Sequence, residues 1–266
     1  MGKFPKAKKH LGQNFLHSPG MLQKLISSVK SDGGQNFLEI GPGTGAMTVH
    51  LNSFAKNLLL VELDQDMMKI IDGVDSLEDV NKLNKSFLNL QESQILDFLP
   101  LGYDIIGNLP YYITSPCIEH ALMNLREWRN AYFMVQKEVA QRILSKPNCK
   151  EYGRLSVFCQ IQAQVNIISN VPRGCFQPVP NVDSSFIRLT RISLLNELQL
   201  KHTLNLVRVG FGQRRKQLLG LLKKTYPDID WQLGMQKLNL LKTFRAENLS
   251  VEHWMKLACW SLEKAC

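Results

Sequence analysis

The sequence predicts an α/β protein: a doubly wound, mostly parallel sheet followed by a small C-terminal all-helical domain. Short apolar runs alternate with helical segments up to about residue 192, a glycine-rich turn follows the first run, and only helical spacing continues from residue 196. Alternating strands and helices favour right-handed crossovers between parallel strands. We therefore expect one domain over 1–195 and a second over 196–266.

The elements can be placed in order along the chain. The first helix is predicted at 17–30, because Ser18 is a suitable N-cap and Pro19 suits the first helical position. Apolar runs typical of buried parallel strands lie at 36–40, 57–63, 85–90, 103–107 and 130–135. Residues 164–171 and 184–192 predict a final antiparallel pair. Further helical spacing occurs at 115–125, 137–146, 196–224 and 250–265.

Composition favours a soluble, cytoplasmic protein. Hydrophobic residues make up 44% of the 266 residues and charged residues 21%, so the chain can bury a core. No apolar run reaches the length that a membrane-spanning helix needs. The six cysteines have neither the spacing of a zinc site nor that of a disulfide framework, so we expect no metal.

Positive charge is concentrated near the two ends of the chain. Residues 201–245 carry ten Lys or Arg against two Asp, and four lysines lie within residues 1–9. Because the whole chain has a formal net charge of +9, the remainder is mildly acidic. A single basic run is typical of a solvated helix surface. Two such runs favour a nucleic-acid partner, with residues 1–17 as a basic N-terminal arm.

A glycine-rich loop, EIGPGTGAMT (39–48), follows the first predicted strand, with glycines at Gly41, Gly43 and Gly45. Glycine permits a tight turn and close approach of the backbone to a ligand. Glu62 ends the next strand, where a carboxylate can accept hydrogen bonds from both ribose hydroxyls of an adenosine. Strand, loop and acid together predict an adenosine-containing ligand.

The glycine spacing narrows the choice of ligand. The loop has neither the GxGxxG of a dinucleotide site nor the terminal Lys and Ser or Thr of a P-loop. Its GxGxG form is found in enzymes that use S-adenosylmethionine, which has no pyrophosphate to bind. We therefore predict S-adenosyl-L-methionine as the cofactor.

The tetrapeptide NLPY (108–111) closes the fourth predicted strand, at the same edge of the sheet as the glycine loop. Asn108 offers an amide oxygen, and the carbonyl of Leu109 is available because Pro110 imposes an extended geometry on the residue before it. Two adjacent acceptors suit an exocyclic amine, and Tyr111 can stack on its base. The tetrapeptide therefore predicts a site where the N6 amine of an adenine accepts a methyl group.

Along nearly all its length the chain resembles the small-subunit ribosomal RNA adenine N6,N6-dimethyltransferase family. The matching motifs are LGQNFL (11–16), EIGPGTGAMT (39–48), VELD (61–64), GNLPY (107–111), QKEVAQRI (136–143), FQPVPNVDSS (176–185), FGQRRKQLL (211–219) and RAENLS (245–250). The resemblance implies a Rossmann-like methyltransferase domain and an RNA-binding helical domain. It also implies dimethylation of N6 on two adjacent adenosines in the 3′-terminal hairpin of 16S ribosomal RNA, within a pre-30S particle, by a monomer.

The resemblance further implies a role for individual residues. Contacts to the methyl donor fall on Asn14, Leu16, Gly41, Gly43, Gly45, Glu62 and Asn108. The target adenine would be held by Asn108, Leu109 and Tyr111, with Phe176 stacked on its opposite face. Contacts to RNA phosphates fall on Arg214, Arg215, Lys216, Lys223 and Lys224.

Two positions leave alternatives open. Family members carry an Asp just after the third strand, where it contacts the adenine of the donor, whereas this chain has NLQESQILDF (89–98). Glu92 or Ser93 is expected to take that place, and Glu92 keeps a carboxylate acceptor. For Phe176, a core aromatic at a proline corner is the alternative to base stacking.

Three other functions fit parts of the sequence. A large-subunit ribosomal RNA methyltransferase of the macrolide-resistance type shares the fold and a similar tetrapeptide. A non-enzymatic RNA-binding assembly factor, or a transcription factor like the mitochondrial relatives, would use the basic segments alone. An NAD-dependent oxidoreductase would use the glycine loop and Glu62, but it leaves the NLPY motif unexplained.

Overall fold

The computed structural model describes Pro5, Ala7, Lys8 and residues 11–265. Lys3, Lys6 and Lys9 of the predicted basic arm lie outside the described residues. Within the described part of the chain, no helix combines the length and the apolar character that crossing a membrane requires.

The chain forms two compact units. The first comprises the described residues up to Ala140 together with Asn166–Arg191, and the second comprises Gln141–Val165 and the residues from Ile192 onward. The predicted single boundary at residue 195 thus missed the segment Gln141–Val165. This segment joins the second unit because Tyr152, Val157 and Ile161 are buried in its core.

Strands and helices alternate along the first unit. The strands of the described chain are β1 (Phe15–Leu16), β2 (Asn36–Ile40), β3 (Asn57–Glu62), β4 (Asn81–Asn84), β5 (Tyr103–Asn108), β6 (Trp128–Gln136), β7 (Ala163–Val171), β8 (Phe176–Gln177) and β9 (Ser184–Arg191). The helices are α1 (Pro19–Ser31), α2 (Thr48–Asn52), α3 (Gln65–Asp72), α4 (Glu92–Leu96), α5 (Thr114–Asn124), α6 (Lys137–Leu144), α7 (Arg154–Gln162), α8 (Glu197–Gly212), α9 (Leu218–Thr225), α10 (Trp231–Lys237) and α11 (Val251–Ala265).

Seven strands form one sheet in the order β4-β3-β2-β5-β6-β9-β7, and β1 pairs with β8 separately. The strands from β4 to β6 are parallel neighbours, whereas β9 runs antiparallel to β6. The predicted doubly wound, mostly parallel sheet is thereby confirmed. Chain order reverses between β2 and β5, and in such sheets the carboxyl ends of the strands at this point border a ligand-binding crevice.

The central strands are apolar because both faces of the sheet are covered. Leu38, Leu59 and Ile105, on three adjacent strands, are fully buried. The helix α1 buries the side chains that its spacing predicted, namely Leu22, Leu25, Ile26 and Val29. Burial on both faces explains why these strands appear in the sequence as continuous apolar runs rather than alternating ones.

The strand predicted at 85–90 was misplaced. The structure has β4 at Asn81–Asn84, whereas residues 87–89 form a single 3₁₀ turn. The strand β4 lies at the sheet edge, and three of its four residues are polar and none is buried. Phe87 and Leu90 are buried from the turn that follows, and this gives the turn the apolar pattern of a strand.

The second unit packs around Trp231, Trp254 and Trp260. Close packing there requires glycine, because a Cβ added at Gly234 would lie 2.3 Å from the ring of Trp260. The helical spacing over 196–224 is interrupted between α8 and α9 by a five-residue connection that contains Arg214, Arg215 and Lys216.

Candidate active site

A cleft of about 1060 Å³, part of it open to solvent, lies at the carboxyl ends of the central strands. Its walls come from the segment 11–16, the loop after β2, the end of β3, residues 85–88 and the NLPY segment. All of these segments belong to the first unit, so the whole cleft lies within that unit.

The glycine loop adopts a conformation that favours glycine. Gly41, Gly43 and Gly45 have φ of +62°, +56° and +78°, in the left-handed region. At Gly43 a Cβ would also meet the ring of Phe15 at 3.1 Å. Gly41 and Gly43 line the cleft. Gly45 is not among the lining residues, and its N–H donates to the carbonyl of Pro42 at 2.9 Å.

Glu62, at the end of β3, lies in the wall of the cleft and is 7% exposed. Its Oε2 accepts from the N–H of Gly43 at 3.2 Å, and its Oε1 accepts from the N–H of Asp64 at 2.8 Å. Burial raises the pKa of this carboxyl, although the two backbone donors oppose the shift. Each carboxylate oxygen keeps a lone pair, so the group can accept from two ribose hydroxyls as predicted.

A second buried carboxyl, Glu39, tests whether S-adenosylmethionine fits the cleft. Glu39 is the penultimate residue of β2, lines the cleft and is 2% exposed, and its Oε2 has no hydrogen-bond partner among the described residues. A buried oxygen without a donor suits a ligand that brings a hydrogen-bond donor. S-adenosylmethionine has ribose hydroxyls and an ammonium group, so Glu62 and Glu39 together fit a ligand with these donors.

The ionisation of Glu39 predicts a pH-dependent stability. Burial, reinforced by the nearby carboxylate of Glu62, raises the pKa of Glu39 from 4.5 to about 8. The unfolded chain therefore releases this proton more readily, and the contribution of Glu39 to the free energy of unfolding falls as the pH rises from 4.5 to about 8. In wild type this loss of unfolding free energy is on the order of a few kcal/mol across the window, and we expect it to be absent in Glu39→Gln.

Urea unfolding of wild type and Glu39→Gln at the two ends of that pH window would measure this loss. The difference between the two proteins isolates Glu39 from the other titrating groups. Parallel stability losses in wild type and variant would contradict the prediction.

The NLPY segment forms another part of the cleft wall, with Asn108, Leu109 and Tyr111 among the lining residues. The amide nitrogen Nδ2 of Asn108 donates to the carbonyl of Asn14 at 2.8 Å. This bond leaves the amide oxygen of Asn108 as the atom available to a substrate. The hydroxyl of Tyr111 is hydrogen-bonded to Ser184 Oγ at 2.9 Å, which fixes the ring at the wall.

The predicted donor contacts in the N-terminal segment also reach the cleft. Asn14 and Leu16 line it, and Leu16 is held in place by the pairing of β1 with β8. Phe176 occupies the β8 side of that pair, opposite Leu16. Its side chain is fully buried in the core of the first unit. The structure therefore does not bring Phe176 to the cleft, and the core aromatic that the sequence left as an alternative is what it shows.

Glu92 and Ser93 do not lie at the cleft either. Glu92 accepts a hydrogen bond from the hydroxyl of Tyr103 at 2.7 Å and another from the backbone N–H of Arg126. Tyr103 begins β5, so this contact lies at the edge of the sheet opposite to the cleft. The error follows from the misplaced strand, because β4 ends six positions earlier than the predicted strand, at Asn84 rather than at residue 90.

Sequence reasoning missed several residues of the cleft wall, among them Ser86, Phe87 and Tyr112. Ser86 and Phe87 follow β4 and line the cleft at the place assigned to Glu92. Tyr112 lines the cleft and is 58% exposed. Its ring packs on Gly12, where an added Cβ would lie 3.2 and 3.3 Å from two ring carbons. The doubled tyrosine in NLPYY was the available signal for Tyr112, but only the first tyrosine belongs to the motif.

The predicted phosphate contacts lie in the second unit. Arg215, Lys216, Lys223 and Lys224 are exposed. Arg214 is engaged within the protein: its Nε donates to the carboxylate of Glu247 and its Nη2 donates to the carbonyl of Lys150 at 2.7 Å. This arginine therefore joins the connection between α8 and α9 to two other segments of the unit.

Comparison with known proteins gives relatives of the whole chain. Residues 4–262 match the family described as ribosomal RNA adenine dimethylase. The ribosomal RNA small subunit methyltransferase A of Lachnoclostridium phytofermentans is 38% identical over 264 residues, covering 94% of this chain and 90% of that protein. The protein of the same name from Pseudomonas fluorescens is 34% identical over 262 residues, covering 95% and 92%.

Solved structures share the fold. A dimethyladenosine transferase from Plasmodium falciparum has a TM-score of 0.77 at 24% identity, covering 94% of this chain and 98% of that one. The 23S rRNA methyltransferase ErmE has a TM-score of 0.71 at 22% identity, covering 93% and 99%. At these identities the structural likeness shows the fold alone.

Proposed function

The chain belongs to the ribosomal RNA adenine dimethylase family, and we propose that its substrates are two adjacent adenosines in the 3′-terminal hairpin of small-subunit ribosomal RNA. Members of this family are S-adenosylmethionine-dependent methyltransferases, and this chain is such an enzyme. Relatives over nearly the full length are named for the small subunit, which supports that substrate over large-subunit RNA. The likeness to ErmE does not weigh against it, because that likeness concerns the fold.

The single observation that carries the proposal is the orientation of Asn108. Its Nδ2 is engaged by the carbonyl of Asn14, so its oxygen is left to accept one hydrogen of the adenine amine. The carbonyl of Leu109, the next residue in the chain, would accept the other. Two acceptors on one amine favour a pyramidal nitrogen whose lone pair, no longer conjugated into the ring, can attack the methyl carbon. The S–C bond of the donor breaks in the same step, and the methylated nitrogen then loses a proton to water.

The remaining cleft residues bind and orient. Glu62 and Glu39 would hold the ribose and the ammonium group of S-adenosylmethionine, and Tyr111 would stack on the target base. When bound, S-adenosylmethionine supplies a methyl group on a sulfonium, which is a good leaving arrangement. Positioning of the two reactants can therefore provide most of the catalysis without a strong general base.

The proposal is tested by transfer of labelled methyl from S-adenosylmethionine to small ribosomal subunits that lack the modification. Nucleoside digestion and chromatography should yield labelled N6,N6-dimethyladenosine from small-subunit RNA. Label found instead in large-subunit RNA would favour the resistance-type activity. RNA binding without label in either RNA would indicate an assembly factor without this chemistry.

We further propose that the enzyme acts as a cytoplasmic monomer on a pre-30S particle, with a role in small-subunit biogenesis. The exposed basic residues of the second unit support contact with RNA phosphates, which position a protein on RNA without specifying a sequence. Such contacts release counterions when RNA binds. Each lost phosphate contact should therefore reduce the number of released counterions by about one, which makes binding less dependent on salt.

The engagement of Arg214 predicts a specific outcome for Glu247. If Arg214 bound a phosphate, Glu247→Ala would free it and strengthen RNA binding. We expect the opposite: Arg214→Ala and Glu247→Ala should each lower the affinity for RNA about fivefold, because the pair holds the α8–α9 connection in place. Arg215→Ala and Lys216→Ala should instead lower the salt dependence.

Fluorescence anisotropy with the 3′-terminal hairpin RNA over a range of salt concentrations measures both effects. Arg214→Lys is the matched control, since it keeps the charge but not the two-donor geometry, and it should resemble Arg214→Ala. Tighter binding by Glu247→Ala would overturn the role given to Arg214.

A further inference from the structure

The segment that carries Asn14 is joined by hydrogen bonds to Asp64, a buried carboxylate at the start of α3. Gln13 Nε2 donates to Asp64 Oδ2 at 2.8 Å, and Lys8 Nζ donates to Asp64 Oδ1 at 2.6 Å. The backbone N–H of Lys8 donates to Gln13 Oε1 at 2.8 Å and closes a ring of contacts. The side chain of Asp64 is 2% exposed, whereas that of Lys8 is 34% exposed, so the carboxylate is buried and its lysine partner reaches solvent.

The same segment determines the orientation of the proposed target site. Asn14 offers its carbonyl to Asn108, and its own Nδ2 donates back to the carbonyl of Gly12 at 3.1 Å. A shift of the segment would move that carbonyl away from Asn108, whose amide could then rotate and present its nitrogen to the substrate. On the other side, the N–H of Asp64 is bonded to Glu62. Asp64 is thus hydrogen-bonded both to Glu62 and to Gln13, the neighbour of Asn14.

We infer that Asp64 is a positioning residue, which holds the segment 11–14 across the cleft so that Asn108 presents its amide oxygen to the target amine. This inference rests on the proposed function for the role of Asn108. The contacts that carry it, from Lys8 and Gln13 to Asp64 and from Asn108 to Asn14, are independent of any ligand.

The charges around Asp64 favour its ionised form. Burial acts to raise the pKa of Asp64, but the hydrogen bonds from Lys8 and Gln13 outweigh burial and hold the pKa below its usual value. Lys8 is shared with Asp66, at 2.6 Å, whose side chain is 60% exposed. Asp66 makes no contact with Gln13 in the described structure, so it provides a control that perturbs Lys8 alone.

A purely structural role for Asp64 has to be separated from positioning, because Asp64 is also the N-cap of α3. Its Oδ1 accepts from the N–H of Asp66 at 3.0 Å. Serine is an equally good N-cap but is too short to reach Gln13. Asp64→Ser therefore keeps the helix cap and removes the hold on the N-terminal segment.

The test combines two measurements on wild type, Asp64→Ser, Gln13→Ala, the double variant and Asp66→Asn. Hydrogen–deuterium exchange of the peptide covering residues 11–16 reports the hold on the segment without any ligand. Single-turnover methyl transfer at saturating S-adenosylmethionine reports the orientation of Asn108. We expect faster exchange and an approximately tenfold slower transfer in Asp64→Ser and Gln13→Ala, no further loss in the double variant, and little change in Asp66→Asn.

Unchanged exchange in Asp64→Ser would overturn the hold on the segment. Faster exchange with a wild-type transfer rate, or losses that multiply in the double variant, would overturn the positioning role. If the wild-type enzyme itself transfers no methyl group to small-subunit RNA, the proposed function fails, and the exchange measurement still decides whether Asp64 holds the segment.

Discussion

Replacing Asn108 with alanine is expected to reduce methyl transfer by at least about a hundredfold while S-adenosylmethionine still binds. The side chain supplies one of the two acceptors for the adenine amine, and its orientation is set by the bond to the carbonyl of Asn14. Removing it leaves the nitrogen lone pair conjugated with the ring. Glu62 and Glu39, which would hold the donor, are not altered by this change.

Asn108→Asp is the matched comparison for that result. The aspartate keeps an acceptor in the same place but cannot donate to the carbonyl of Asn14, so its transfer rate should lie between those of wild type and Asn108→Ala. Single-turnover kinetics give the transfer rate, and isothermal titration with S-adenosylmethionine gives the affinity. Full activity in Asn108→Ala would remove the amine contact from the mechanism.

Replacing Glu62 with alanine is expected to weaken S-adenosylmethionine binding by about a hundredfold or more. Two hydrogen bonds from ribose hydroxyls to a buried carboxylate would be lost, each worth about 1.5–3 kcal/mol. The N–H groups of Gly43 and Asp64 would also lose their acceptor, which loosens the loop that forms the cleft wall. Titration calorimetry with S-adenosylmethionine measures the affinity of the variant.

Glu62→Gln separates the two effects. Its amide can offer one oxygen to a backbone N–H, but its nitrogen faces the other donor, so binding should remain far weaker than in wild type. The melting temperature of each variant without ligand monitors the loop. An affinity close to wild type in Glu62→Ala, in a folded protein, would exclude Glu62 from the ribose site.

Features that depend on neighbours in the chain were predictable from the sequence. The glycine loop, Glu62 and NLPY each lie at the carboxyl end of a strand, and in a parallel sheet such ends meet at one edge. The structure brings these residues to one cleft for that reason. The helix α1 was predictable as well, because its apolar spacing and Pro19 are local properties.

Features that depend on contacts distant in sequence were not predictable. The apolar pattern of residues 85–90 cannot tell an edge strand from a buried turn, so Glu92 was assigned to a site that Ser86 and Phe87 line. Phe176 and Arg214 have the residue types expected for base stacking and phosphate binding. Phe176 is instead buried opposite Leu16, and Arg214 is bonded to Glu247. Both contacts arise only once the chain has folded.

By itself the sequence determined the sheet, the family and the chemistry of the cleft, since strand periodicity and short motifs are read within a few residues. Only the tertiary structure decided that the segment Gln141–Val165 joins the C-terminal helices and that the N-terminal segment crosses to Asn108. Both depend on side chains up to about a hundred positions apart, whose pairing is selected by burial and hydrogen bonding in the folded protein rather than by local preference.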